Sequence, residues 1–201
     1  MAKLILLRHL KSQWNLENRF TGWTDVPLSK EGIENAKEVA GKLAGFQIDK
    51  VYTSPLTRNR ESTSLVIKNL GKHDLPIVID KALDERNYGK LQGLNKDEVK
   101  KQYGQEQVQL WRRSWDQAPP EGESLKDVYG RAVSFFREYI EKDLETEKNI
   151  LVVASHNSLR ALVKYIEKIP DDDIVNLEMP YGGLSAYEFG GGIYKKLNNL
   201  T

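Results

Sequence analysis

Apolar residues fall along this chain in two alternating rhythms, short unbroken runs and longer helical repeats. Leu4-Ile5-Leu6-Leu7 stops abruptly at Arg8 and His9, the pattern of a strand buried on both faces of a parallel sheet. Val51-Tyr52-Thr53 and Pro76-Ile-Val-Ile79 read as further strands. Asn149-Ile-Leu-Val-Val-Ala154 is the strongest of them, apolar, β-branched and followed directly by Ser155-His156. Between these runs, Ser29-Lys-Glu-Gly32 opens a segment with Ile33, Ala36, Val39, Ala40 and Leu43 at helical spacing. The stretch 56–70 predicts a second helix, with Leu65, Val66, Ile67 and Leu70 as inward candidates and Gly71 as its stop. Ser124 is placed to cap a third, reaching about Lys142, with Leu125, Val128, Ala132, Phe135 and Phe136 on one side. Strands alternating with helices predict an α/β fold, a single domain over residues 1–201 whose mainly parallel sheet is flanked by helices. No repeat or linker interrupts it, and Ala118-Pro-Pro-Glu-Gly-Glu123 reads as a surface turn.

Composition narrows the picture. A chain of 201 residues buries roughly 70% of its unfolded surface on folding and needs no staple. It has no cysteine, which excludes disulfides and thiolate metal sites and points to a reducing, cytoplasmic setting. The opening apolar run falls far short of the roughly 20 residues a membrane span requires, and it does not resemble a signal peptide. Thirty Lys and Arg against 29 Asp and Glu leave a net charge of +1, so no global field favours nucleic acid or a membrane surface. Positive charge for an anionic ligand must therefore be local.

In an open α/β sheet, ligands bind beyond the carboxyl ends of the strands. Arg8-His9 and His156 both stand at such ends, far apart in sequence, where they could converge on one ligand. A lone strand-end histidine is more often structural than chemical. Here, Thr21-Gly22, Arg58 and Arg112-Arg113 supply donors suited to phosphate, since a guanidinium grips two oxygens at once. Taken singly, each arginine has a plain reading as a solvated surface charge, and for Arg112-Arg113 alone that reading is as good as the functional one. His73 lies in a polar Gly-Lys-His-Asp turn, and the three histidines show no metal-ligand spacing.

Leu7-Arg8-His9 followed by Ser12-x-Trp14-Asn15 and then Asn18-Arg-Phe-Thr-Gly-Trp-Thr-Asp25 resembles the amino-terminal signature of cofactor-dependent phosphoglycerate mutases. Tyr52-Thr-Ser-Pro-Leu-Thr-Arg58, Glu85-Arg-Asn-Tyr-Gly89, Leu91-Gln-Gly-Leu-Asn-Lys96, Glu106-Gln-Val-x-x-Trp-Arg-Arg113 and Asn157-Ser-Leu-Arg-Ala-Leu-Val-Lys-Tyr165 are similar to further blocks of that family, so the resemblance covers most of the chain. Arg-His alone would indicate only the wider histidine phosphatase superfamily. The stretch from Glu85 to Arg113 resembles the mutase branch.

The resemblance implies interconversion of 3-phosphoglycerate and 2-phosphoglycerate in glycolysis and gluconeogenesis, with 2,3-bisphosphoglycerate as phosphoryl primer and no metal. By it, His9 is the nucleophile, Arg8, Arg58 and His156 surround the transferring oxygens, and Glu85 is the general acid and base, for which a raised pKa would help. Without the resemblance, Glu85 reads as an ion-pair partner or a helix cap. Ser12, Asn15, Thr21, Gly22, Arg86, Tyr88, Lys96, Arg112, Arg113 and Asn157 match positions that hold substrate in relatives. The implied partner is a small phosphorylated three-carbon substrate, with neither nucleic acid nor membrane, in a homodimer or monomer.

The chain departs from the family pattern at four places. Leu10 and Lys11 stand where the family has Gly and Glu, so Leu10 either crowds the phosphate or points into the core, and Lys11 adds charge nearby. His156 runs directly into Asn157 without the intervening Gly. Glu121-Gly-Glu123 replaces a long loop, which weakens the case for a large oligomer. The sequence ends at Thr201, leaving little of a shielding tail, which predicts appreciable phosphatase side activity. The competing expectations are a histidine-type phosphatase of small phosphorylated metabolites and a catalytically silent phosphate-ligand binding protein.

Overall fold

The computed structural model describes residues 1–197. In chain order its elements are β1 (Ala2–Arg8), α1 (Gln13–Leu16), α2 (Lys30–Leu43), β2 (Lys50–Thr53), α3 (Thr57–Asn69), β3 (Ile77–Ile79), α4 (Lys96–Tyr103) and α5 (Gln105–Arg113). They continue with α6 (Leu125–Phe135), a π-helical turn (Phe136–Ile140), α7 (Glu141–Glu145), β4 (Ile150–Ala154), α8 (His156–Glu167), β5 (Leu184–Gly190) and β6 (Ile193–Leu197).

The six strands form one sheet in the order β3-β2-β4-β1-β5-β6. Strands β3, β2, β4 and β1 are mutually parallel, and the β5–β6 hairpin is added antiparallel along β1. Successive side chains of a strand point to opposite faces, and β1 shows this directly. Leu4 and Leu6 join the cluster under α6 and α8, while Ile5 and Leu7 join the one under α2 and α3. A third, smaller cluster of Phe20, Leu91, Val99, Val108 and Trp111 lies apart from both and carries the segment that follows Glu85.

The expected helices form with local corrections. Ser29 caps α2 through Gly32 N–H, but Ile33 is 49% exposed and Gly32 takes the inward position. A Cβ on Gly32 would sit 2.2 Å from the Lys11 carbonyl, so the helix approaches a backbone too closely for any side chain, a contact that hydropathy does not register. In α3 the inward residues are polar over the first half, Arg58, Asn59, Ser62 and Thr63, and apolar only at Val66 and Ile67; Leu65 and Leu70 are half-buried against the same cluster. Ser124 forms a reciprocal capping box with Asp127. The helix it starts passes through the π turn rather than running regularly to Lys142.

Candidate active site

Strands β1 and β4 are hydrogen-bonded neighbours in register, with Arg8 opposite Ala154. The residues that follow each strand therefore emerge side by side, and the His9 N–H closes the ladder by donating to the Ala154 carbonyl at 3.0 Å. Ser155 is the N-cap of α8, so His156 is the first residue of that helix. The helix begins without a spacer glycine, which accommodates the missing residue, and the Asn157 N–H reaches Glu85 at 3.2 Å.

A cavity of about 240 Å³ opens over these strand ends. Of the residues singled out by sequence, Arg8, His9, Asn15, Thr21, Gly22, Arg58, Glu85, Tyr88, Lys96, Arg112, Arg113 and His156 line it. Ser12, Arg86 and Asn157 do not, and they stand one layer behind. Ser12 caps α1 and bonds Asn15. Asn157 donates to the Glu85 carboxylate at 2.9 Å and to the Tyr88 hydroxyl at 3.2 Å. Arg86 holds the Arg112 carbonyl at 2.7 Å. Arg19, Phe20, Glu178 and Tyr181 also line the cavity and were not anticipated. Tyr181 stacks on the Arg8 guanidinium, 3.8 Å from ring centroid to Cζ.

His9 is 2% exposed. Its Nδ1 lies 2.7 Å from the Leu10 carbonyl, which can only accept, so the proton sits on Nδ1 and Nε2 carries the free lone pair. Burial, with Arg58 and Arg8 nearby, holds its pKa well below the usual histidine value and keeps the ring neutral. Arg58 is fixed by the carbonyls of Gly22 and Thr24 at 2.7 and 3.1 Å. Gly22 has φ +56°, a conformation glycine adopts freely.

Glu85 Oε1 accepts from the Arg86 N–H at 2.7 Å as well as from both nitrogens of Asn157. Burial alone would raise this carboxyl, but His156, the Arg86 N–H, Arg58 and Asn157 outweigh it, so the pKa lies below the ordinary carboxylate value rather than above it. The cavity therefore presents an ionised carboxylate, a competent proton acceptor, beside a neutral imidazole. His156 is pushed down to about 4, chiefly by burial, and its Nε2 lies 3.1 Å from Glu178 Oε2. Lys96 is lowered to about 8 by burial and by Arg112 and Arg8.

The side chains of the two unusual residues after His9 lie outside the cavity. Leu10 is 1% exposed and packs in the cluster with Val39 and Leu43, so it points into the core and leaves the phosphate position clear. Lys11 pairs with Glu31 at 2.9 Å and does not line the cavity. The expectation about the carboxyl-terminal tail falls on residues 198–201, outside the described residues.

A parallel-sheet fold with a neutral histidine and converging guanidinium groups at its strand ends defines a phosphate-handling site of the α/β class. The chain belongs to the histidine phosphatase superfamily (branch 1), whose family pattern matches residues 4–199. It is 42% identical over 201 residues to the 2,3-bisphosphoglycerate-dependent phosphoglycerate mutase of Cytophaga hutchinsonii, covering 100% of this chain and 93% of that one. It is 41% identical to the protein of the same name from Staphylococcus epidermidis, covering 94% of each. Among solved structures it is similar to Bacillus stearothermophilus YhfR, with a TM-score of 0.85, 26% identity, and 98% and 95% of the two chains covered.

Proposed function

We propose that this chain is a 2,3-bisphosphoglycerate-dependent phosphoglycerate mutase acting in glycolysis and gluconeogenesis. The observation that carries the reading is His9, neutral, buried, and fixed by the Leu10 carbonyl with Nε2 free among Arg8 and Arg58. Nε2 attacks the phosphorus of a phosphorylated ligand, and the phosphoryl oxygens are received by Arg8, Arg58 and His156. Positioning and preorganised positive charge account for most of such a transfer. Glu85 takes the proton from the substrate hydroxyl as that oxygen attacks phosphorylated His9, and returns it in the reverse half-reaction. An arriving phosphate opposes the charge on Glu85 and raises its affinity for that proton, so one carboxyl serves both directions.

The donor set fits a primer with two phosphates and a carboxylate. Six cationic side chains, Arg8, Arg19, Arg58, Lys96, Arg112 and Arg113, face two carboxylates, Glu85 and Glu178. Arg8 Nε, Arg113 Nη1 and Thr21 Oγ1 are buried without partners, as expected of donors awaiting a ligand. The names carried by relatives at 41 and 42% identity support the same reading, which brings with it a cytoplasmic setting and a metal-independent reaction.

The test is conversion of 3-phosphoglycerate to 2-phosphoglycerate by purified protein, with and without 2,3-bisphosphoglycerate, alongside phosphate release and His9→Ala. Primer-dependent conversion abolished in the variant supports the mutase. Phosphate release without isomerisation makes the chain a phosphatase, and absence of both activities makes it a binding protein.

A further inference from the structure

A carboxylate in the wall of an anion site needs an account, and Glu178 is the charged group lining the cavity that the proposed chemistry leaves idle. It is presented by the loop between α8 and β5. That loop is tied to the nucleophile's strand by Arg8 Nη1 donating to the Met179 carbonyl and by Gly182 N–H donating to the Arg8 carbonyl. Glu178 Oε2 lies 3.1 Å from His156 Nε2, and Oε1 contacts the Arg113 guanidinium. Its two partners come from opposite walls, the start of α8 and the end of α5. The carboxylate thus bridges two basic groups that face the cavity, as oxygens of a bound anion would. Its side chain is 56% exposed, so it can swing out without moving the backbone.

We propose that Glu178 is a positioning residue that serves as an internal stand-in for the phosphate group. It holds His156 and Arg113 in their ligand-bound arrangement while the site is empty, and it is displaced when phosphate oxygens arrive. Two effects follow. His156 donates from Nε2 and keeps its orientation between turnovers, which preorganises the site. Every incoming anion must also displace a competing charge, so affinity for phosphate is discounted and product leaves more readily. No net chemistry passes through Glu178, because the exchange only trades one set of charge-assisted hydrogen bonds for another.

The inference rests on the proposed function only in placing a phosphate group in this cavity, and the probe is inorganic phosphate titrated into the full chain by calorimetry. Removing a negative charge a few ångströms from a bound anion at a partly solvated site tightens binding on the order of tenfold. Both Glu178→Gln and Glu178→Ala should therefore bind phosphate about tenfold more tightly than the wild type. In turnover assays the same variants should show a lower KM together with a lower kcat, since the competitor and the orienting contact are lost at once. A residue that merely braced the loop would raise KM instead. Phosphate affinity unchanged, weakened or undetectable in both variants, with native circular dichroism, would overturn the proposal. A wild type without isomerase activity would refute the mutase while leaving the affinity comparison intact.

Discussion

Replacing Asn157 by Asp is nearly isosteric and strikes the proton balance of Glu85. In the native site the Asn157 side-chain amide donates to Glu85 Oε1 at 2.9 Å, and its carbonyl oxygen accepts from Arg160 at 3.0 Å. Aspartate keeps the Arg160 contact, so the fold should persist, but it removes one donor and sets a second carboxylate against the first. A hydrogen bond to a charged group contributes roughly 1.5–3 kcal/mol, and about 1.4 kcal/mol corresponds to one pH unit. Loss of the donor alone raises the Glu85 pKa by about one to two pH units, and like-charge repulsion adds to this. Glu85 must be ionised to accept the hydroxyl proton, so the acidic limb of kcat/KM should move upward by about two pH units or more. Starting from below the ordinary carboxylate value, that shift costs at most about a few-fold of the activity at pH 6, more at lower pH, and nothing by pH 9. The limb belongs to the interacting Glu85 and His156 pair, so the shift is read as one macroscopic value. A uniform loss of rate with the limb unmoved would refute the assignment of Glu85 as base.

Other outcomes follow from the same geometry. Leu10→Gly, which restores the family residue, should cost about 3–5 kcal/mol in urea unfolding and bring no gain in rate, because Leu10 fills core volume. Gly89→Ala forces a side chain onto φ +52° and places its Cβ 2.1 Å from the Pro120 carbonyl. The backbone strain alone should destabilise by about 1–3 kcal/mol, measurable in the same experiment. Burial tends to raise the Asp143 carboxyl, but Lys148, Lys50 and Tyr52 outweigh it and hold it at about 2. A depressed carboxylate stabilises above its unfolded value and loses that contribution as pH falls through the folded one. Asp143→Asn should therefore flatten the loss of stability between about pH 5 and pH 2 in acid-denaturation curves.

Legibility in the sequence tracked how strongly one physical signal dominated each segment. Strand β4 is fully buried on both faces and reads as such from its composition, and capping by Ser29 and Ser124 marks two helix starts. Strands β5 and β6 escaped notice. Their Tyr187, Glu188, Lys195 and Lys196 mix polar with apolar residues, and their pairing depends on a hairpin through Gly191 and Gly192. The inward face of α3 could not be read from hydropathy, since near the cavity it is built from Arg58, Asn59 and Ser62. Motif resemblance located most of the cavity wall but could not separate residues that touch a ligand from those behind them. Ser12, Arg86 and Asn157 are bonded behind Asn15, Arg112 and Glu85, and that layering exists only in three dimensions. Glu178 and Tyr181 lie in an irregular loop with no periodic pattern, and only the tie between Arg8 and Met179 brings them to the site.

The register of β1 against β4 fixes the points at which the chain leaves the sheet toward His9 and toward His156, one strand spacing apart, roughly 4.8 Å. Loops therefore do not tune that gap. Backbone hydrogen bonds at the centre of the sheet determine it, in the part of the molecule that should open last under heat or denaturant. The segment from Arg86 to Glu123, by contrast, rests on its own small cluster over the strand ends. The strand-end histidines are thus clamped by a ladder, whereas the facing wall hangs on a bracket fastened to α8 through Asn157 and Arg160. A designer seeking a new phosphorylated substrate would rebuild the bracket and leave the ladder untouched.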